Sequence, residues 1–360
     1  RPPRSTLSSS SAASDVYKSQ VKTISVDTKK EEKAIFQEFK FRANKKQKYT
    51  IEKIVSIYSS QNEEAEYPLA SAIKSTQNSP DFSSLYESNK HVWADLWNIF
   101  DVNVPGHNFS QKTLRLHIFH LLGTASIHNP KLDVGIPARG LSGEAYRGHI
   151  FWDEIFILPI YDFRIPEITQ STLLYRFRRL EQARKYASEN GYKGAMFPWQ
   201  SGSTGEEETQ IIHLNPQSGK WGPDHSRNQR HISFDIAYSV WEHWKITRDY
   251  KFMSDYGAEL FLSIAKFGGS LSYYDTNDNK YHTKGLMGPD EFHERLPGSS
   301  EAGFKDNAYT NIMIVWTLKR ALELLSTILP VKCKEDLLKK LEITKDELKL
   351  WEDITKKMNV

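Results

Sequence analysis

Two hydrophobic periods divide the chain. Around residues 21–27, 35–43 and 49–59, β-branched and aromatic side chains alternate in part with polar ones. Ile35, Phe39 and Phe41 share one parity, as do Tyr49, Ile51, Val55 and Ile57, the pattern of a half-buried strand. Three strands do not close a sandwich, so residues 1–60 read as the final strands of a β-sandwich domain. From about Glu63 the spacing turns helical, first through a linker over residues 61–110 and then through a long succession of helices over 111–360.

Within that succession, residues 113–122 place Leu114, Ile118, Leu121 and Leu122 on one helical face. Residues 152–161 are apolar almost all round, which predicts a helix buried inside the domain. Residues 172–188 form a helix with a basic stripe of Arg176, Arg178, Arg179, Arg184 and Lys185, most simply a solvated face, ending near Gly191 as a C-cap. Helices over 232–247, 251–271 and 308–329 follow, then two shorter ones within 334–357. The fold class is therefore mainly α. Many helices joined by long loops that hold the aromatics and carboxylates suggest a helical toroid with its site at one rim.

Composition narrows the function. Of 360 residues, 39% are hydrophobic and 12% aromatic, as expected of a globular protein with an aromatic-rich cleft or core. Forty-eight basic against 45 acidic side chains leave +3, too balanced for a nucleic-acid partner. Residues 1–60 alone carry 13 basic and 6 acidic groups, so a basic N-terminal piece joins a slightly acidic body. No apolar run approaches the 18 or so residues of a membrane span. The single cysteine, Cys333, excludes an intramolecular disulfide framework and suits a reducing compartment, so a cytoplasmic location is expected. Cys333 itself, between two lysines, reads as a bystander thiol. The start, RPPRSTLSSSSAAS, has neither an initiator Met nor a signal-peptide segment and reads as trimmed.

No phosphate loop, GxGxxG turn, HExxH, paired CxxC or GxSxG elbow is present. His117 and His120 read as helix-packing residues, and no metal or cofactor is expected. What remains is a set of carboxylates among aromatics. In FWDEIF, residues 151–156, Trp152 and Asp153 open an apolar helix. A carboxylate beside an indole can hold a sugar, its C–H face on the ring and its hydroxyls on the acid; equally, Asp153 could be a helix cap and Trp152 core. In GPDEFHE, residues 288–294, the Asp290–Glu291 pair beside Phe292 offers the apolar, charged surroundings that keep a carboxyl protonated for general-acid work; such pairs in loops are also commonly inert. Between 195 and 238, Trp199, Gln200, Glu206, Glu207, His225 and His231 give planar surface and hydrogen-bonding groups, either a carbohydrate palette or a polar loop anchored by Trp199.

In this order the strings ARGLSGEAYRGHIFWDEIF (138–156), YKGAMFPWQS (192–201), TGEE (204–207), HISFDIAYSVWEHW (231–244), YGAEL (256–260), GPDEFHE (288–294) and DNAYTNIM (306–313) resemble the catalytic domain of glycoside hydrolase family 65, which includes maltose, trehalose and kojibiose phosphorylases and some α-glucoside hydrolases. The resemblance spans roughly residues 90–325. It implies an (α/α)6 toroid, incomplete in this chain, preceded by a β-sandwich and a helical linker. It also implies inverting cleavage of an α-linked glucosyl disaccharide. By it, Glu291 is the general acid, Trp152 and Asp153 hold the non-reducing glucose, and Trp199, Gln200 and His231 line the same pocket. Relatives read FWDTEIF where this chain has FWDEIF, and ARFW where it has Ala265–Lys266–Phe267–Gly268, which predicts a packing change or a wider pocket there. The insert of residues 213–231 is expected to shape the acceptor-sugar site.

An inverting hydrolase needs a second carboxylate to activate water, whereas a phosphorylase replaces it with a cradle for inorganic phosphate as co-substrate. By the resemblance both lie toward the C-terminal side of the toroid, beyond Val360, so the chain reads as an internal fragment whose partner is the C-terminal half of the same enzyme. Phosphorolysis is the first expectation, hydrolysis the second, and a non-catalytic sugar-binding remnant the third. Phosphorylases of this type are often dimers, which leaves a homodimer open.

Overall fold

The computed structural model describes residues 11–19, 23–32, 34–62, 67–140, 146–289, 294–296, 298–299 and 301–360. The chain divides into two compact units, Arg1–Asp101 and Val102–Val360. In the first, β1 (Ser11–Ser19) pairs antiparallel with β4 (Ile51–Ser59), and β2 (Thr23–Glu31) with β3 (Ala34–Phe41). Helix α1 (Pro68–Gln77) packs on β1 and β4, with Ser56 Oγ and Ser75 Oγ 3.2 Å apart, and α2 (Phe82–Phe100) starts at Asp81, whose side chain accepts from Ser84 N.

Two strand expectations need correction. The opening strand β1 lies in the Ser-rich stretch, where no β-branched alternation marks it. In β4 the inward parity is the opposite one: Ile54 is buried at 6% exposure, while Ile51, Val55 and Ile57 are exposed. The face that meets α1 is the one that carries Ile54.

In the second unit, α3 (Asn108–Thr124) buries Ile118 and Leu122. Helices α4 (Glu154–Asp162), α5 (Pro166–Arg178) and α6 (Leu180–Glu189) follow, then the hairpin β5 (Ile212–Asn215) and β6 (Lys220–Pro223). Next come α7 (Ile232–Thr247), a single turn α8 (Tyr250–Phe252), a π-helical turn Met253–Gly257 and α9 (Ala258–Leu271). The hairpin β7 (Tyr273–Asp275) and β8 (Lys280–His282) precedes α10 (Ala308–Glu323), α11 (Val331–Lys340) and α12 (Lys345–Lys357).

Side-chain contacts fix the directions of these helices. Trp152, just before α4, touches His231 at the head of α7 and Tyr309 at the head of α10. At the other end, Asp162 meets His243 at 2.6 Å, and Trp241 lies against Trp316. Thus α4, α7 and α10 run side by side in the same direction. Their backing helices run oppositely: the end of α5 reaches the start of α4 through Arg176 and the Phe151 carbonyl, the end of α9 meets the start of α7 through the stacked rings of Phe267 and Phe234, and Asn359, just beyond α12, reaches Asn311 near the start of α10. This alternation buries Phe234, Phe261, Phe267, Leu158, Ile168 and Trp351 between the two rows, and it brings the N-terminal ends of α4, α7 and α10 together.

Three helical expectations also change. The helix expected over 172–188 is two, α5 and α6, broken at Arg179. Its basic stripe is solvated only in part: Arg178 and Lys185 are exposed, but Arg176 and Arg179 are 1% and 7% exposed because each meets a carboxylate, Glu154 and Asp133 respectively. Helix α4 buries Leu158 and Tyr161 but leaves Phe156 exposed at 69%. Among the described residues, no helix is long and apolar enough to cross a membrane.

Candidate active site

The convergence of three helix N-termini builds the site. Trp152 is half-buried and stands edge to face with Phe156 and His231, each at 5.0 Å between ring centroids, and with Tyr309 at 6.1 Å. Trp199, from the loop before β5, closes the cluster: it lies 5.3 Å from Phe151 and 5.4 Å from His231. The structure therefore brings Trp152, Asp153, Trp199 and His231 together across 79 positions of sequence.

Asp153 occupies the N-cap position of α4, yet its side chain caps none of the first-turn amides. Capping is the ordinary use of an Asp there; here the carboxylate takes only its own backbone N–H. Burial pushes its pKa up from the usual carboxylate value. Next to it, Glu154 is buried and belongs to the framework: Arg176 donates to Oε2 from Nε at 3.0 Å and from NH2 at 2.8 Å, and Ile136 N donates to Oε1. Of the two adjacent carboxylates, Glu154 is thus tied into the framework, whereas Asp153 is half-buried at the helix head.

Glu207 sets the position of Trp199 and Gln200. Its carboxylate accepts from Trp199 N at 2.9 Å, Gln200 N at 3.3 Å and Thr209 N at 3.0 Å. Of the polar groups expected to touch sugar, Glu207 instead pins the turn that carries Trp199 and the half-buried Gln200. Glu206 is exposed, and His225 is half-buried ahead of the short helical turn Ser226–Asn228. At the rim, His149 Nε2 lies 2.8 Å from Glu208, while Nδ1 faces the Tyr146 carbonyl.

His231 is fully buried, at 0% exposure, and packs edge-on against both indoles. Its Nδ1 lies 2.8 Å from Asp235 Oδ2, whose other oxygen accepts the Tyr309 hydroxyl at 2.6 Å. Neither Asp235 nor Tyr309 stands out in the sequence as part of this cluster. The i, i+4 spacing of His231 and Asp235 was a usable signal for the first; Tyr309 lies 74 positions further on.

Glu291, with Asp290, Phe292 and His293, lies outside the described residues. The segment leading to it is anchored: Met287 N donates to the Asn228 carbonyl at 3.0 Å, and Gly288 sits so close to Asn307, the N-cap of α10, that a Cβ would come within 2.4 Å of Asn307 Nδ2. The Gly268 departure is a packing change, since a Cβ there would stand 3.0 Å from the Phe234 ring in the core.

His117 and His120 do not pack in the core as expected. Both are exposed, and they line a separate groove of about 420 Å3 with Ile136, Arg139 and Tyr161. Cys333 is half-buried and its thiol is pushed up by burial, away from reactivity.

Comparisons with known proteins show the family to which this helical unit belongs. The family 65 glycosyl hydrolase central catalytic domain matches residues 115–360 and the N-terminal domain of the same family matches residues 5–96. The chain belongs to glycosyl hydrolase family 65. It is 44% identical to a trehalose 6-phosphate phosphorylase of Lactococcus lactis over 67% of this chain and 32% of that protein. It is 36% identical to a kojibiose phosphorylase of Halothermothrix orenii over 75% and 34%, and 41% identical to an uncharacterized glycosyl hydrolase of Mycobacterium tuberculosis over 87% and 24%. A solved putative kojibiose phosphorylase from the human microbiome superposes with a TM-score of 0.77 at 25% identity, covering 98% of this chain and 44% of that one. The chain spans about a quarter to a third of the curated relatives it matches.

Proposed function

We propose that the protein cleaves an α-linked glucosyl disaccharide by phosphorolysis with inversion, and that this chain supplies the glucose-holding side of the site within an (α/α)6 toroid. The observation that carries this reading is Asp153, a carboxylate at a helix head that caps nothing, raised by burial and set beside the half-buried Trp152. An indole accepts the C–H face of glucose while an adjacent carboxylate accepts its hydroxyls. Trp199 and Gln200 extend the same wall, with His231 behind the indoles. The alternating directions of α4, α7, α10 and their backing helices are what half of such a toroid requires.

In the reaction, the carboxyl of Glu291 gives its proton to the glycosidic oxygen as the bond from that oxygen to C1 breaks. A phosphate oxygen forms the new bond to C1 from the opposite face, so the α-glucoside becomes β-glucose 1-phosphate and the acceptor sugar departs with its hydroxyl restored. Phosphate is a co-substrate and no cofactor takes part. The domain division proposed is 1–60 for the strands, 61–110 for the linker and 111–360 for the catalytic part, in a cytoplasmic protein.

Kojibiose and trehalose 6-phosphate, the sugars in the relatives' names, head the substrate candidates, with maltose, nigerose and trehalose beside them. The Mycobacterium relative's naming as a hydrolase supports a second reading in which water replaces phosphate. Incubating the full chain with these sugars, with and without inorganic phosphate, tests both: β-glucose 1-phosphate formed only with phosphate supports phosphorolysis, and free glucose at an unchanged rate without it overturns that in favour of hydrolysis.

A further inference from the structure

Asp235 stands in the first turn of α7, where the helix end favours a carboxylate, and it is 2% exposed. Both of its oxygens are engaged by rings from different parts of the chain: Oδ2 by His231 Nδ1 at 2.8 Å and Oδ1 by the Tyr309 hydroxyl at 2.6 Å. Burial, and then the Asp235 charge, push the Tyr309 phenol well above its usual value, so it remains a proton donor to that carboxylate. The two rings that Asp235 holds are also two of the three that stand edge to face against Trp152, at interplanar angles of 75° for His231 and 83° for Tyr309, the third being Phe156. They touch one another as well, 5.5 Å apart.

We propose that Asp235 and Tyr309 are positioning residues of the glucose pocket: the chain Tyr309 to Asp235 to His231 fixes two of the three rings that set the attitude of the Trp152 indole, Phe156 being the third. The inference rests on the reading of Trp152 as the glucose platform. Edge-to-face pairs have a preferred geometry, so a shift of either supporting ring rotates the indole they support. His231, with no exposed surface, acts through the indoles rather than on the sugar. Asp235 thereby joins the heads of α7 and α10 beneath a platform carried by the residue before α4.

The test is calorimetric titration of glucose into the full chain and its variants, with melting temperature and steady-state kinetics measured alongside. Tyr309→Phe removes only the hydroxyl and keeps the ring. It is expected to weaken glucose about tenfold, the size of one hydrogen bond to a charged group, and to raise KM with a smaller change in kcat. In a Trp152→Phe background the same change is expected to add no further loss, because the platform it orients is gone. Asp235→Asn should behave as Tyr309→Phe does, and if that buried change prevents folding the Tyr309 pair still decides the matter.

Three results would overturn the inference. A lower melting temperature in Tyr309→Phe with unchanged glucose affinity, while Trp152→Phe binds weakly, makes the chain merely structural and leaves the glucose platform standing. An equal loss with and without Trp152 makes Tyr309 a direct sugar contact. Unchanged affinity in Trp152→Phe itself removes the platform reading and this inference together.

Discussion

Arg176 donates to one oxygen of Glu154, Oε2, from both Nε at 3.0 Å and Nη2 at 2.8 Å, with both side chains buried and the Phe151 carbonyl held by the same guanidinium. The pair joins the end of α5 to the start of α4, directly beside Trp152 and Asp153. Removing one partner of a buried ion pair strands the other's charge, at a cost of about 3–5 kcal/mol. Arg176→Met should lose that much stability in urea unfolding. Lysine cannot reproduce the planar fork, so Arg176→Lys should recover little, whereas the double variant Arg176→Met/Glu154→Gln should be more stable than Arg176→Met alone.

Asp153 carries a pH signature. Its pKa is raised by burial, so the carboxylate protonates at a higher pH than an exposed Asp would. If it accepts hydroxyls from glucose as the charged form, affinity holds at neutral pH and falls as pH drops through that raised value. Asp153→Asn should bind glucose weakly at every pH and lose the acid limb. Titrations from pH 4 to 7 check this, and an unchanged acid limb in the variant would exclude Asp153 as its source.

Much of this site could be read in the chain before folding was considered, and the unread part has physical reasons. Trp152, Asp153 and Trp199 stood out because indoles beside carboxylates in loops are chemically conspicuous. Spacing along one helix makes Arg176 and Arg179 look solvated because it cannot reveal Glu154, 22 positions away, or Asp133, 46 positions away. Asp235 looked like any acid in a helix, since its second partner is 74 positions distant. The strand β1 escaped because pairing with β4, not its own Ser-rich composition, makes it a strand.

His282 makes folding stability depend on pH on the alkaline side. Asp306 at Nδ1, 2.6 Å away, raises its pKa; burial opposes this, and Asp278 at Nε2 adds to the rise. A histidine raised in the folded state contributes stability fully present below its unfolded value of about 6.5, and loses it as pH rises through the folded value. Asp306 also accepts from Thr283 N and Asn359 Nδ2, so the pair fastens β8 to α10 and the chain end. The melting temperature should therefore decline above about pH 6.5. His282→Gln should start lower and decline less, and parallel curves for the two proteins would refute the linkage.

The role of Glu291 as general acid shows itself through the leaving group of the substrate. A general acid matters in proportion to how poor the leaving group is: a sugar alkoxide needs its proton in the transition state, whereas fluoride scarcely does. Glu291→Gln keeps the shape and the hydrogen-bonding reach of the side chain but has no proton to give. Turnover of a natural disaccharide should fall by about two to four orders of magnitude, the usual worth of general acid catalysis. Glucosyl fluoride turnover should fall far less, and glucose affinity should stay near that of the parent because Trp152 and Asp153 are untouched. Equal losses on both substrates would show that Glu291 organises the site rather than protonates the departing oxygen, and the general acid would then have to be sought among the other carboxylates that follow Gly288 in the sequence.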